Sequence, residues 1–186
     1  MGGGIVVPGI KEWCAKGIPV YVPSLELERA ATQTSVLESS LSPLGDGQCL
    51  RVGRFGVELL HTPGHSPGST CLRVTDGVPT TAADDSDVTN STSVSDSSSN
   101  GSAPVDLLLL SGDTVFPGSC GRLDLPGSDP AVMYDSLRRL AALPDDLPIY
   151  PGHSYGGSSS TIGREKATGF LRNDITRAQW MNSMAR

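Results

Sequence analysis

The stretch HTPGHSPGS, residues 61–69, holds two of the three histidines in the 186-residue chain. Imidazoles four residues apart share one face of a helix and make a good zinc pair there. Here Pro63 and Gly64 stand between His61 and His65 and argue against a helix. The pattern predicts a strand ending near His61, a tight turn, and a second strand from about Ser69 to Val74. A histidine on such a turn is held by its strands and faces outward, where it can ligate a metal or simply be solvated. Two further turns repeat the arrangement. LLLLSGDTVF drives an apolar strand into Gly112-Asp113-Thr114, and IYPGHSYGG runs a strand through Pro151-Gly152 into His153. An aspartate at the end of a buried strand is costly unless it caps, pairs or binds a cation. Three alike turns that use nearly all the histidine of the chain point to a shared metal site rather than to three unrelated loop residues. Imidazole and carboxylate together suit zinc, iron or manganese.

The elements that must position these turns are short strands and helices. Ile18 to Val22 is a β-branched run, and LELERAA, residues 25–31, reads as a helical turn or two. QCLRVGRFGVELLH alternates and breaks at Gly53 and Gly56, which predicts two short strands joined by a turn. Asp106 to Leu110 reads as a buried strand, apolar almost throughout. Asp129-Pro130 opens a helix, with aspartate as cap and proline at the first position, and Met133, Leu137, Leu140 and Ala141 line one face of it. Leu147 to Tyr150 is another strand. Asp174 to Ala185 reads as a closing helix with Ile175, Ala178 and Met181 inward.

Composition narrows the function classes. Hydrophobic residues make up 37% and charged residues 18%, enough for one domain with a core, residues 1–186. The net charge of −6 speaks against nucleic acid or an anionic membrane as the main partner. No apolar run approaches a membrane span. The start, MGGGIVVPGIKEW, lacks the basic and long apolar regions of a secretory signal. Cys14, Cys49, Cys71 and Cys120 are widely spaced, which reads as reduced thiols of a cytoplasmic protein. Residues 78–104, VPTTAADDSDVTNSTSVSDSSSNGSAP, stand apart. They carry Asp84, Asp85, Asp87 and Asp96 with no Lys or Arg, leaving −2 for the rest of the chain. Such a Ser/Asp-rich segment cannot bury enough apolar surface to offset its ordering entropy, and it reads as a disordered insertion between two strands.

HTPGHSPGS, LSGDTVFPGSCGR and YPGHSYGGSSSTIGREKATG, in that order, resemble the metallo-β-lactamase-fold hydrolases, in particular the glyoxalase II and persulfide dioxygenase group. The resemblance covers nearly the whole chain except the insertion. It implies an α/β (α+β) fold, the αββα metallo-β-lactamase sandwich. It implies further that His65 ligates one metal, His153 a second, and that Asp113 bridges them, while His61 is not a ligand. Zinc is the expected metal and iron the alternative. Such an ion brings water to ionise near neutral pH and polarises a carbonyl. The substrate implied is a small-molecule thioester, such as a glutathione conjugate, or a related ester. Cys120-Gly121-Arg122 matches a stretch near the substrate channel. Arg122 and Tyr155 are candidate substrate contacts, Arg122 for a glutathione carboxylate; packing or surface roles are the alternative for both.

The family's first signature, H-x-H-x-D-H, is absent, and MGGGIVVPGIKEWCAKG looks like the segment that follows it in relatives. The resemblance therefore implies an N-terminally truncated sandwich that lacks its opening strands and most remaining ligands. The 33 residues after His153 are also few for the helical glutathione-binding region of a full glyoxalase II, which leaves room for another thioester, an ester or a lactone. In the persulfide dioxygenase reading one iron takes His65 and Asp113, and His153 is not a ligand. In a third reading the chain is a non-catalytic remnant whose turns serve the fold alone.

Overall fold

A computed structural model of the chain describes residues 9–78 and 103–184. The segment read as an insertion thus lies, but for its ends, outside the described residues. Eight strands and five α-helices follow in the order α1 (Ile10–Ala15), β1 (Tyr21–Pro23), α2 (Leu27–Thr34), β2 (Ser42–Leu44), β3 (Cys49–Val52), β4 (Phe55–His61), β5 (Thr70–Asp76), β6 (Val105–Gly112), α3 (Pro130–Ala141), β7 (Pro148–Pro151), β8 (Ser160–Thr161), α4 (Ile162–Thr168) and α5 (Arg177–Met184). β1 and β2 form a parallel pair. The other six strands make one sheet in sequence order, antiparallel throughout except at β6–β7. This mixed α/β architecture agrees with the fold class expected from the motifs.

Local chemistry explains the elements. Gly53 and Arg54 turn β3 into β4, with Gly53 at φ +62, a conformation glycine supplies without steric penalty. Gly56 does not break the strand, contrary to expectation. It lies buried inside β4, where a side chain would collide with the Thr75 hydroxyl and the Gly77 carbonyl. Asp129 caps α3, accepting from the amides of Ala131 and Val132, with Pro130 at the first helical position. Arg73 crosses three strands, donating to Asp106 on β6 at 2.6 Å and to Glu58 on β4 at 3.2 Å.

One sheet face carries the core. Leu60, Cys71, Leu109 and Ile149 meet Met133, Leu137 and Leu140 of α3, and Trp180 of α5 closes the layer. Removing a buried side chain such as Leu137 from a layer of this kind costs about 2–5 kcal/mol. The expected inward set of the closing helix was Ile175, Ala178 and Met181. Ile175 does pack against the core, but it precedes the helix, which begins at Arg177; Ala178 and Met181 face solvent and Trp180 is inward. Its indole N–H donates to the Pro130 carbonyl at 2.6 Å, and its ring meets Phe170 edge-on.

The opposite sheet face is apolar as well. Cross-strand pairing sets Leu59, Leu72, Leu110 and Tyr150 in one row, and Leu50, Val57, Val74 and Leu108 in the next. Of these eight only Leu59 is buried, while Leu110 is 41% and Tyr150 45% exposed. The apolar strand read as buried is therefore buried on one side only, at Leu109 and Ser111. A second, smaller cluster joins Val22, Ala31 and Leu41 to Ile10, Cys14 and Leu27 around β1 and β2. No helix among the described residues is long and apolar enough to cross a membrane.

Candidate metal centre

The three motif turns lie at one end of the large sheet, after β4, β6 and β7. The first is fastened on all sides. His61 ends β4 opposite Thr70, and the Thr62 amide donates to the Ser69 carbonyl at 2.9 Å. α3 holds the middle: Ser136 donates to the Pro63 carbonyl at 2.6 Å, and the Asp129 amide to that of Gly64 at 2.8 Å. The Glu26 carboxylate accepts from the Gly68 amide at 3.1 Å.

This framework gives the two histidines different work. The His61 ring uses Nε2 on the Pro67 carbonyl at 2.8 Å, spanning its own turn. Its amide donates to Asp46 at 2.8 Å, and its carbonyl accepts from Arg139 at 2.9 Å. Partial burial opposes ionisation of Asp46, yet the Arg139 hydrogen bond and the His61 amide hold its carboxyl below the ordinary range. His61 is thus a staple of the turn. His65 instead points its ring at the next turn. Its Nδ1 lies 2.9 Å from the Arg122 carbonyl and can only donate there, so Nε2 faces Asp113 and carries the lone pair whenever the ring is neutral.

Asp113 follows Gly112, whose φ of +50 ends β6 abruptly. The Thr114 amide closes the turn on Ser111, and the Gly152 amide ties the third turn to the Gly112 carbonyl at 2.8 Å. Two glycines let the backbone close around the carboxylate. A Cβ on Gly121 would overlap the Asp113 carbonyl, and one on Gly152 would lie 2.9 Å from Oδ1. The result places His65 Nε2 at 3.5 Å from Asp113 Oδ2 and His153 Nε2 at 3.6 Å from Oδ1. The three residues singled out in the sequence therefore meet, each histidine on its own carboxylate oxygen.

These separations can be tested against a bound ion. A charge-assisted hydrogen bond would draw N and O to about 2.7–2.9 Å. Two ligands of a tetrahedral zinc, with bonds of about 2.0–2.2 Å, stand about 3.4 Å apart. The observed 3.5 and 3.6 Å fit the second case. No three His, Cys, Asp or Glu side chains among the described residues converge as a single-ion cluster. The donors divide instead into two pairs sharing one carboxylate. A cation could be held between each pair, with two protein ligands apiece.

The expected substrate contacts flank this centre. The Tyr155 ring lies 5.2 Å from that of His153 and edge-on to Phe116 at 5.5 Å, and it is largely exposed. The Arg122 guanidinium is exposed and grips Asp124 through both ends, at 2.9 and 2.7 Å. What Arg122 offers His65 is its carbonyl, which no reading of side chains could find. The glycine of Cys120-Gly121-Arg122 was the available signal of close approach.

The chain matches the family described as the metallo-beta-lactamase superfamily over residues 95–153, a span that includes Asp113 and His153. The probable hydroxyacylglutathione hydrolase glo2 of Schizosaccharomyces pombe (strain 972) is 32% identical over 146 residues, 76% of this chain and 44% of that protein. A crystal structure of a metallo-beta-lactamase from Staphylococcus aureus subsp. aureus COL superposes with TM-score 0.70 at 27% identity, covering 95% of this chain and 48% of that one. A second, TTHA1623 in a di-iron-bound form, is 30% identical with TM-score 0.52 and covers 84% and 66%. The chain spans less than half the length of the curated relatives it first matches. On these matches the chain belongs to the metallo-beta-lactamase superfamily, and its relatives there include hydroxyacylglutathione hydrolases.

Proposed function

We propose that the chain carries the shared-carboxylate half of a two-metal hydrolase centre, whose complete form cleaves a thioester such as a hydroxyacylglutathione or a related ester. The observation that carries this reading is the placement of His65 and His153 on opposite oxygens of Asp113. The name of the fission-yeast relative supports the substrate class. Zinc suits the donor set, with iron as the alternative, in keeping with the di-iron form of the TTHA1623 neighbour.

A bound divalent ion supplies Lewis acidity and a nucleophile at neutral pH. The chain's own residues do the rest. Asp113 offers one oxygen to each side and fixes the spacing of the two positions. The Arg122 carbonyl holds His65 in the tautomer whose Nε2 is free to ligate. Tyr155 walls the His153 side and presents a flat apolar surface to a bound thioester. The Arg122–Asp124 pair lies at the rim, so an anionic end of a substrate reaches the guanidinium by displacing Asp124.

Ligand count sets the expected strength. Zinc takes about four donors, or three with water. Among the described residues each ion would have one imidazole and a share of one carboxylate. The 186-residue chain should therefore bind zinc weakly and hydrolyse poorly. A single iron on His65 and Asp113 would give His153 no task, although His153 stands to Asp113 as His65 does; that symmetry favours two ions. The test is zinc and iron titration of the purified chain and of Asp113→Ala, with hydrolysis of a glutathione thioester followed in parallel. Weak, Asp113-dependent uptake with slow turnover is the expected result. Tight stoichiometric metal with fast turnover would mean that other residues complete the site, and uptake indifferent to Asp113 would leave the non-catalytic remnant.

A further inference from the structure

Behind the candidate metal centre lies a chain of buried hydroxyls and a thiol that the catalytic reading does not use. Thr62 belongs to the first turn, three residues before His65. Thr114 belongs to the second and follows Asp113 directly. Both are fully buried, and their hydroxyl oxygens are 3.0 Å apart. Thr62 also meets the Cys71 sulfur at 3.3 Å, and Cys71 meets the Ser111 carbonyl at 3.6 Å.

The protons in this chain run one way. The Ser111 carbonyl can only accept, so Cys71 donates to it, Thr62 donates to Cys71, and Thr114 donates to Thr62. Burial pushes the Cys71 thiol up to about 11, so its proton stays in place near neutral pH. No hydroxyl in the chain is left without an acceptor.

The topology makes the contact consequential. β4 and β6 are not neighbours; β5 lies between them, so their backbones are two strand spacings, about 9.6 Å, apart. The ladder alone does not join the turn after β4 to the turn after β6. The Thr62 and Thr114 side chains do so directly, passing over Cys71 on the core side of β5. We propose that Thr62 and Thr114 are positioning residues: their hydroxyl contact sets the register of the His65 turn against the Asp113 turn, and so the spacing of the ligand pair. The part that concerns metal rests on the two-metal reading above.

The test compares Thr114→Val, which removes the hydroxyl at nearly constant volume, with Thr114→Ser, which restores it. Thr75→Val is the matched control, because it removes an equally buried hydroxyl, bonded to the Gly77 carbonyl, from the far end of β5. Two readouts are taken on the full chain. The first is hydrogen exchange, without metal, of the amides at positions 62 and 114, bonded to Ser69 and Ser111. Thr114→Val should deprotect both together by about tenfold or more, Thr114→Ser should restore both, and Thr75→Val should leave both unchanged. The second is zinc affinity, which should fall about tenfold in Thr114→Val only. An amide at position 62 that ignores Thr114→Val, or that responds equally to Thr75→Val, overturns the proposal. So does zinc affinity unchanged in Thr114→Val. If the unmodified chain takes up no zinc, the metal reading falls, and the exchange result alone decides whether the two turns are coupled.

Discussion

Gly64→Ala probes the Pro-Gly turn between His61 and His65. Two penalties act on it. Gly64 has φ +140, outside the regions an L residue adopts readily, which costs about 1–3 kcal/mol. Its Cβ would also lie 2.5 Å from both Cα and Cβ of Met133 and 2.7 Å from the Met133 amide nitrogen. These atoms belong to the first turns of α3, and forcing them apart costs about a further 1–3 kcal/mol. The sum, about 2–6 kcal/mol, is a large part of the 5–15 kcal/mol that holds a typical domain together. Gly53→Ala supplies the comparison, since it too has positive φ but open space around it, and should lose only about 1–2 kcal/mol. Urea unfolding of both variants measures the difference. Adding Met133→Ala should not rescue Gly64→Ala, because all three clashing atoms, the amide nitrogen, Cα and Cβ, remain in alanine. If Gly64→Ala came within about 0.5 kcal/mol of Gly53→Ala, the claim that α3 sets the position of the turn would be wrong.

Further outcomes follow from other contacts. Glu165 is buried and accepts from the Gly118 amide and the Ser160 hydroxyl, so Glu165→Ala should cost about 2–4 kcal/mol in thermal or urea unfolding; Glu165→Gln should cost less than about 1, since Ser160 can turn to accept from the new amide. Asp113→Ala should abolish whatever zinc binding calorimetry detects, whereas His61→Ala should keep it and lower stability through the lost Pro67 contact. Burial raises Cys71 to about 11 and Cys120 to about 12 from 9.0, so folding favours the neutral thiols; stability should be intact below pH 9 and fall as pH rises from 9 toward 12, with a shallower fall in Cys71→Ala. Asp76 and Val105 are paired neighbours on β5 and β6, so replacing residues 79–102 with a short turn should leave the unfolding free energy measured in urea within about 1 kcal/mol of its original value, and a larger loss would show that those residues contribute to the fold.

The candidate site was legible because each of its turns is an apolar run stopped by glycine or Pro-Gly, and such punctuation places the next side chain at a sheet end. That punctuation singled out the turns of His65, Asp113 and His153; their roles as candidate ligands, and the setting aside of His61, came from the family resemblance. The α3 face was equally plain, since Met133, Leu137, Leu140 and Ala141 repeat at helical spacing below a capping Asp129-Pro130. What stayed hidden depended on neighbours. Nothing in QCLRVGRFGVELLH tells a strand-breaking glycine from Gly56, whose hydrogen atom leaves room for Thr75 and Gly77. The inward face of α5 turned on one aromatic anchor, Trp180, rather than on an apolar repeat. Arg122 contributes a carbonyl where its side chain drew attention. The roles of Thr62 and Thr114 depend on two strands being one strand apart, which follows from sheet order and not from either motif.

The sheet face of Leu50, Val57, Leu72, Val74, Leu108, Leu110 and Tyr150 has a calorimetric consequence. Heat capacity rises on unfolding because apolar groups enter water, about 12–15 cal/mol/K per residue in ordinary domains. Side chains partly wetted in the native state, as Leu110 and Tyr150 are, add less to that rise. The described chain should therefore unfold with a heat-capacity step and a denaturant slope below those expected for its length. Its stability curve against temperature should be correspondingly flat. For the same reason, native protein should brighten an apolar fluorescent dye before any unfolding begins, and Leu110→Lys with Tyr150→Lys should quench that signal.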